Sequence, residues 1–219
     1  MSDQVELVKD MILKGASRKQ LEMALEIIYP GAMQKIKELI AIIGDDPERE
    51  GLKDTPYRVV KSWLEIYGGY KSNAAKLDTT FTENIGDVDE IDDSQIVMCK
   101  DIDFYSTCEH HMIPFHGYCH IGYLPNKKVI GVSKLVRIVE HFAKRLQIQE
   151  KLCSQIADYI VETLQPQGVG VIITAEHLCM KARGVRNATS KMVTSQMRGK
   201  FRDQIQTRQE FLSLIGLEK

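Results

Sequence analysis

The stretch CEHHMIPFHG, residues 108 to 117, places four side chains with metal-binding or proton-transfer chemistry next to one another. They are Cys108, Glu109, His110 and His111, and each can ligate a metal ion or exchange a proton. Cys108 and His111 are three positions apart, a spacing that one tight turn can close onto a common point. The stretch therefore predicts part of a metal site, with further ligands supplied from elsewhere in the chain.

The segment EHLCM supplies the best further ligand, Cys179, with His177 two positions before it. We expect a strand here, in which positions i and i+2 face the same side, so that both side chains look toward one point. Two thiolates and one imidazole suit Zn²⁺, and three protein ligands leave a fourth position for water, as in catalytic zinc sites. Such a metal can lower the pKa of its bound water to about 7. The alternative is that the cysteines are simply buried as small apolar residues.

His110 and His177 remain beside the predicted metal site without a ligand role. Histidine titrates near neutral pH and is the most frequent general acid or base, so both are candidates for proton transfer. Glu109 can form a salt bridge, orient a histidine or face away, and we predict a structural role for it. The remaining histidines have no second ligand nearby in the sequence, and we expect core or surface roles for them: His116, His120 and His141.

Basic residues follow each of the two clusters along the chain. Lys134 and Arg137, in SKLVR, lie on the predicted first turn of a helix, with Ser133 as its candidate N-cap. The free N–H groups of a helix start and nearby cations together favour anion binding. The segment KARGVR adds three more cations just after Cys179: Lys181, Arg183 and Arg186. This distribution predicts a phosphorylated substrate, and a solvated basic surface is the alternative.

Gln149 and Glu150, in QIQEKL, place an amide and a carboxylate side by side. A carboxylate can accept two parallel hydrogen bonds from an edge with two N–H donors, such as N1 and N2 of guanine. By residue type alone, the default for Glu150 is an exposed surface position. The pair is therefore a candidate base-binding element only if it lies close to the metal site.

The composition excludes several classes of protein. The 219 residues are 43% hydrophobic and 27% charged, as in ordinary globular proteins, and the formal net charge is -1. This balance argues against a general attraction to nucleic acid or membrane, so any anion site must be local. No apolar run approaches the roughly 20 residues of a membrane span, and MSDQVELVKD does not resemble a signal peptide. We therefore expect a cytoplasmic protein whose five cysteines are reduced.

The segments that must position these residues predict an α+β fold with a mainly antiparallel sheet and long helices. Residues 1–72 are predicted to be an N-terminal helical region, 73–95 a linker or arm, and 96–219 the catalytic domain. The first region contains apolar residues at helical spacing, whereas residues 73–95 are polar and acidic with weak periodicity.

Local patterns indicate where individual elements begin. Thr55 is the expected N-cap of a helix that has Pro56 at its first position. The segments GYCHIGYLP and KKVIGVS flank Pro125-Asn126 and predict a β-hairpin. Ser133 then opens a long helical pattern that breaks near residues 147–149.

Four segments together resemble the family of GTP cyclohydrolase I: DTPYRVVKSW, STCEHHMIPFHG, VIGVSKLVRIVEHFAKRLQIQEKL and HLCMKARGVRNATSKMVTS. The resemblance spans about residues 33 to 215, with the motifs in the family's order. It implies a zinc enzyme that converts GTP and water into 7,8-dihydroneopterin triphosphate and formate, which opens the route to folate or biopterin. It also implies the tunnelling fold, in which subunits pair their sheets into a barrel, and a homodecamer with active sites between subunits.

The resemblance further implies a role for each candidate residue. The zinc ligands would be Cys108, His111 and Cys179. The proton-transfer histidines would be His110 and His177, with Glu150 as the guanine anchor and Gln149 beside the reacting ring. The triphosphate contacts would be Ser133, Lys134, Arg137, Arg183 and, from a neighbouring subunit, Arg58.

Two other functions are compatible with the residues. One is the nitrile reductase of queuosine synthesis, an enzyme of the same fold that uses a catalytic cysteine and NADPH and needs no zinc triad. The other is a non-enzymatic oligomer that zinc stabilises. Bound zinc together with GTP-dependent formate release would exclude the first. Loss of activity on zinc removal with the oligomer intact would favour catalysis over the second, whereas collapse of the assembly would favour the second.

Overall fold

The computed structural model describes residues 2–70, 95–126 and 129–216. The chain divides into two compact units, Met1–Ser72 and Asn73–Lys219. The predicted linker at residues 73–95 falls, apart from its last position, outside the described residues, so the predicted domain boundaries stay a prediction. No helix among the described residues combines the length and the apolar character that crossing a bilayer requires.

The described part of the N-terminal unit contains helices joined by turns and loops, and no strand. Its elements are α1 (Ser2–Leu13), α2 (Arg18–Ile28), α3 (Ala32–Ile42), α4 (Thr55–Ile66) and a 3-10 turn (Gly68–Tyr70). A capping box between Ser17 and Gln20 starts α2 by satisfying free N–H groups of its first turn. The apolar faces of the helices meet in a core that includes Leu25, Val60 and Leu64. Helices therefore make up the regular structure of this unit's described part, while its assignment as a separate region at residues 1–72 stays a prediction.

The start of α4 differs from the prediction by one residue. The helix begins at Thr55 itself, with Asp54 in the N-cap position and no side-chain capping bond. Pro56 lies in the first turn, where its missing N–H leaves no helical hydrogen bond unmade. The Thr55 hydroxyl is therefore not the cap that the sequence pattern indicated.

The C-terminal unit contains a five-stranded sheet in its described part, with strand order β3-β1-β2-β4-β5. The strands are β1 (Val97–Cys108), β2 (Pro114–Leu124), β3 (Leu146–Gln147), β4 (Gly168–His177) and β5 (Met192–Gly199). All neighbours pair antiparallel except the short β3, which runs parallel to β1. The predicted α+β class with a mainly antiparallel sheet is confirmed, whereas closure of several sheets into a tunnelling-fold barrel stays a prediction.

Helices cover both faces of this sheet. The helices of the unit are α5 (Val132–Ala143), α6 (Gln149–Leu164), α7 (Leu178–Lys181), α8 (Lys200–Asp203) and α9 (Ile205–Leu214). On one face, Ile138 of α5 and Ile156 of α6 share a buried core with Ile121 and Val171 of the sheet. Because alternate strand residues point to opposite faces, one strand can contribute to two cores.

On the opposite face, two aromatic rings lie directly on strand backbone. Phe201 and Phe211 pack edge to face with ring centroids 5.3 Å apart. A Cβ atom on Gly170 would come within 2.6 Å of the Phe201 ring, and one on Gly122 within 2.8 Å of the Phe211 ring. These glycines therefore give α8 and α9 their close approach to the sheet.

The predicted hairpin after Pro125-Asn126 is wrong. Among the described residues of KKVIGVS, from Val129 onward, Val129 alone forms a bridge in place of a second strand, and α5 begins at Val132. The physical reason is that β2 already has β1 on one edge and β4 on the other, so no edge remains for the next segment. The N-cap of α5 is Gly131, and Ser133 lies inside the first turn rather than capping it.

Candidate active site

A tight turn at the end of β1 brings Cys108 and His111 together. The Cys108 N–H donates to Ile113 O at 2.9 Å, and the Met112 N–H donates to Cys108 O at 2.9 Å. Met112 adopts a positive φ of 53°, which lets the chain reverse within these few residues. As a result Cys108 Sγ lies 3.7 Å from His111 Nδ1, so the three-residue spacing does close a turn.

Cys179 reaches the same point from another element. The strand β4 ends at His177, and the short helix α7 begins at Leu178, so Cys179 lies in a helical turn. The expected alternation of His177 and Cys179 along one strand is therefore wrong, because the strand ends between them. The ligand atoms of Cys108, His111 and Cys179 nevertheless lie within 4.8 Å of one another.

This trio fits a zinc ion by its donor chemistry and its size. Zinc binds sulfur at about 2.3 Å and imidazole nitrogen at about 2.0 Å, so atoms that share one ion lie roughly 3.5 Å apart. Cys108 is buried, Cys179 is half-buried and His111 is exposed, which leaves the solvent side of the trio accessible. No other group of three or more such ligands occurs among the described residues.

The electrostatics of the two thiols also favour a cation. Burial, followed by the neighbouring Cys108 thiol, raises the pKa of the Cys179 thiol above its ordinary value. Two thiols held this close disfavour a second negative charge. A divalent cation between them would reverse that balance and stabilise both thiolates.

His110 is directed differently from its neighbour His111. The two rings are close to perpendicular, at 83°, with centroids 6.2 Å apart. Only His111 joins the cluster of ligand atoms, and His110 is exposed. Glu109 lies 3.8 Å from Lys151 Nζ on α6, and its N–H donates to Gln147 O, in keeping with the structural role predicted for it.

His177 is fixed on two sides. Its ring stacks on Phe115, with centroids 4.6 Å apart and planes 4° from parallel. Its Nε2 lies 2.8 Å from Gln149 Oε1. Burial lowers the pKa of the His177 imidazole, and the nearby Glu150 carboxylate acts in the opposite direction. Glu150 is therefore close enough to His177 for its charge to be felt.

Gln149 and Glu150 form the first turn of α6, and they face different environments. Gln149 is 1% exposed, and its amide nitrogen donates to Ile173 O, Met192 O and Thr194 Oγ1. Glu150 is exposed. The buried amide thus ties α6 to β4 and β5, and the carboxylate of the next residue is left accessible beside His177.

The cations after Cys179 divide into paired and unpaired groups. Lys181 Nζ lies 2.7 Å from Glu176, and Lys191 Nζ lies 3.5 Å from the same carboxylate. The hydrogen bond from Lys181 lowers the pKa of Glu176. Arg183 has no carboxylate partner within the described parts of the chain; burial raises the pKa of the nearby Cys179 thiol, and the charge of Arg183 opposes that rise only weakly.

The candidate anion residues of α5 lie at the other end of the sheet. We call the end with Cys108, His177 and Cys179 the thiol end, and the end with Tyr123 and Ile130 the tyrosine end. The Ile130 N–H donates to Tyr123 OH at 3.2 Å, just before α5 begins at Val132.

Along β2, the step from Phe115 to Tyr123 spans about 26 Å at ~3.3 Å per residue. Ser133, Lys134 and Arg137 all lie within the first two turns of α5. Within one chain, the structure therefore does not bring these three residues to the thiol end.

Arg58 lies on α4 of the N-terminal unit. It is exposed, and its guanidinium is 3.6 Å from Asp54. Its predicted phosphate contact stays a prediction.

Sequence reasoning missed the stacking partner of His177. Phe115 belongs to the apolar run after the histidine pair, but the ring contact depends on the pairing of Phe115 with His177 across β2 and β4. Only a correct strand register could have indicated it.

Comparison with known proteins identifies the family. The sequence pattern of GTP cyclohydrolase I matches residues 32–216. GTP cyclohydrolase 1 of Wolinella succinogenes is 50% identical over 182 residues, which cover 83% of this chain and 94% of that protein. GTP cyclohydrolase 1 of Rattus norvegicus is 46% identical over 202 residues, covering 91% of this chain and 80% of that protein. The chain belongs to the GTP cyclohydrolase I family of enzymes.

Proposed function

We propose that the protein converts GTP and water into 7,8-dihydroneopterin triphosphate and formate in a zinc-dependent reaction. The observation that carries the proposal is the trio Cys108, His111 and Cys179, with ligand atoms within 4.8 Å of one another. It lies at the same end of the sheet as a histidine that is stacked, hydrogen-bonded and close to a carboxylate. Family membership supports the same reaction class.

Cys108, His111 and Cys179 would hold the zinc, with the turn after β1 and the first turn of α7 as the supporting backbone. When bound, zinc would supply an activated water for hydrolysis at C8 of the guanine ring. The task of the protein is to present C8 to that water. This requires separate groups for the base, the ring nitrogens and the triphosphate.

Glu150 would bind the guanine base. Its carboxylate is exposed in the first turn of α6 and acts electrostatically on His177. It can accept hydrogen bonds from guanine N1–H and the N2 amine, whereas adenine presents an acceptor at N1. A site of this kind discriminates against bases that leave its polar group unpaired.

His177 and His110 would move the protons. Protonation of guanine N7 by His177 makes C8 a better electrophile, and His110 would act as the acid when the C8–N9 bond breaks. The stacked and hydrogen-bonded ring of His177 is held in one orientation, which suits a donor to one atom of the substrate. His110 is exposed on the turn beside His111, from where it can face a bound ligand.

The triphosphate would be bound by residues of more than one copy. Arg183 lies at the thiol end, near Cys179. Ser133, Lys134 and Arg137 lie at the tyrosine end, on the order of 26 Å away along the sheet. These cations would therefore serve the thiol end of a neighbouring copy in a homo-oligomer, a decamer by family resemblance, with Arg58 as a further contact.

The test is to incubate the zinc-loaded protein with GTP and to measure formate together with pterin fluorescence after oxidation. Both products should appear in equal amounts. The Cys179→Ala variant should give neither, and the Cys99→Ala variant, which replaces another half-buried cysteine, should behave like the unchanged protein. GTP left intact by the zinc-loaded protein would refute the proposal.

A further inference from the structure

The orientation of the Gln149 amide is fixed by its surroundings. Its Nε2 lies 3.0 Å from Ile173 O and 3.0 Å from Met192 O. Both partners are backbone carbonyls, which only accept hydrogen bonds. If the amide were turned over, its oxygen would face two other oxygens in a buried place, so the nitrogen must point toward the strands.

This orientation determines which atom of His177 carries hydrogen. With the nitrogen committed to the strands, Gln149 presents Oε1 to His177 Nε2 at 2.8 Å. An amide oxygen only accepts, so the hydrogen of this bond must lie on His177 Nε2. A neutral imidazole has one hydrogen, which leaves Nδ1 as the nitrogen with a free lone pair.

Two contacts of the His177 ring prevent Nε2 and Nδ1 from exchanging these roles. Stacking on the fully buried Phe115 fixes the plane of the ring. A ring turned over in that plane would point carbon rather than nitrogen at Gln149 Oε1 and lose the hydrogen bond. Gln149 itself cannot follow such a change, because its nitrogen is held by both β4 and β5.

We infer that Gln149 is a positioning residue that holds His177 as the Nε2–H tautomer, so that Nδ1 is the ring atom that exchanges a proton with the substrate. The inference rests on the proposed function for the identity of that substrate. In the step assigned to His177, the proton given to guanine N7 leaves Nδ1, and the ring remains as the neutral Nε2–H form. Gln149 thus acts on guanine only through His177.

The tautomer can be measured without turnover. The zinc-loaded full chain, labelled with ¹⁵N in histidine, would be sedimented and studied by magic-angle-spinning NMR at about pH 8, above the ordinary imidazole pKa of about 6.5. The signals of His177 among the six histidines are those lost in the His177→Asn variant. We expect a protonated Nε2 and an unprotonated Nδ1. A neutral His177 with its hydrogen on Nδ1 would overturn the inference.

Two matched variants test the positioning role. Gln149→Met keeps the length of the side chain but removes the acceptor for His177 Nε2–H. Gln147→Met is its control, because Gln147 is also 1% exposed and its amide nitrogen donates to Phe142 O and Gln155 Oε1, away from His177. Both variants should lower the free energy of unfolding. Only Gln149→Met should change the His177 Nε2–H signal and its rate of exchange with solvent.

Kinetics separate positioning from a general structural effect. In Gln149→Met we expect kcat to fall about tenfold or more while KM changes by less than about threefold, since proton transfer and not binding is affected. Zinc content should be unchanged. A Gln149→Met protein with unaltered kcat and an unaltered His177 signal would overturn the positioning role. If the unchanged protein shows the predicted tautomer but releases no formate from GTP, the proposed function fails and the tautomer assignment stands.

Discussion

The two ends of the C-terminal sheet differ in how much of a site one chain completes. At the thiol end, contacts within the chain hold the candidate groups in place, as His177 shows by its stacking on Phe115 and its bond to Gln149. At the tyrosine end, Arg137 is exposed and has no carboxylate partner among the described residues. Hydrolysis needs reacting groups held in a fixed geometry, whereas a triphosphate is bound mainly by positive charge. The difference favours a division in which the thiol end reacts and the tyrosine end binds charge.

Removing a ligand from the thiol end should have the largest effect. Cys179→Ala leaves two of the three proposed ligands, so we expect the loss of zinc and a fall in formate release of roughly 10³-fold or more. Elemental analysis of the purified chain alongside the formate assay checks both. Full zinc content in this variant would contradict the ligand assignment.

Chelation tests whether the proposed zinc serves catalysis or holds the proposed homo-oligomer together. We expect a chelator to abolish activity while light scattering shows an unchanged mass, because the trio is built from a turn and a helix start within one chain. Activity should return when zinc is restored. Dissociation of the assembly in step with zinc loss would favour a structural zinc instead.

The neighbouring histidines of the turn should separate binding from proton transfer. His110→Ala should keep its zinc and lose turnover by about 10²-fold, as for other general acids. His111→Ala should lose zinc as well, because only this ring joins the ligand cluster. The measurement is zinc content beside formate release for both variants, and the reverse pattern would show that the two assignments are exchanged.

Base recognition at Glu150 should give a smaller effect. Glu150→Ala should weaken GTP binding by about 2 kcal/mol, since a charged hydrogen-bond partner is lost. It should also reduce the preference for GTP over inosine triphosphate, which lacks the N2 amine. Glu162→Ala, at another exposed glutamate of α6, is the matched control. Equal binding of GTP by the Glu150 and Glu162 variants would remove Glu150 from the base site.

The smallest expected effect is on the free energy of unfolding at acid pH. It comes from His141 on α5, the helix that runs between the two ends of the sheet. His141 lies in the last turn of α5, and burial together with the charge of Arg145 lowers its imidazole pKa from 6.5 to about 4. As the pH falls, His141 is therefore protonated at a higher pH in the unfolded chain than in the folded one. The stability contributed by the neutral ring is fully present above about pH 6.5 and is lost as the pH falls from about 6.5 to about 4.

This one group changes the free energy of unfolding by at most about 1.4 kcal/mol per pH unit. His141→Gln should flatten the pH dependence of urea unfolding in that window. The same pH dependence in both proteins would show that His141 titrates normally in the fold.

The sequence predicted groups whose partners are close in the chain better than groups whose partners are distant. Cys108 and His111 were predictable because a tight turn closes a three-residue spacing. Cys179 was predicted correctly as their neighbour, but from a strand that in fact ends at His177. The hydrogen bonds of Gln149 reach residues 24 and 43 positions away, which only the assembled sheet brings near.

The sequence also did not indicate that the α5 cations lie far from the thiol end. Ser133, Lys134 and Arg137 were predicted from helix-start chemistry, which says nothing about the end of the sheet at which the helix starts. That follows from the direction of β2, which runs from Phe115 at the thiol end to Tyr123 at the tyrosine end before the chain turns into α5.

The most direct test of this division is a mixed oligomer. Cys179→Ala disables the thiol end, and a Lys134→Ala/Arg137→Ala double variant disables the tyrosine end. The two chains would be co-expressed with different tags, and oligomers that contain both would be purified and assayed for formate release from GTP. If each site joins the thiol end of one copy to the tyrosine end of another, about a quarter of the sites in a one-to-one mixture regain both intact ends, and activity should recover to about that fraction. Activity no higher than that of the two parent variants would show that both ends act within one chain and would contradict the account.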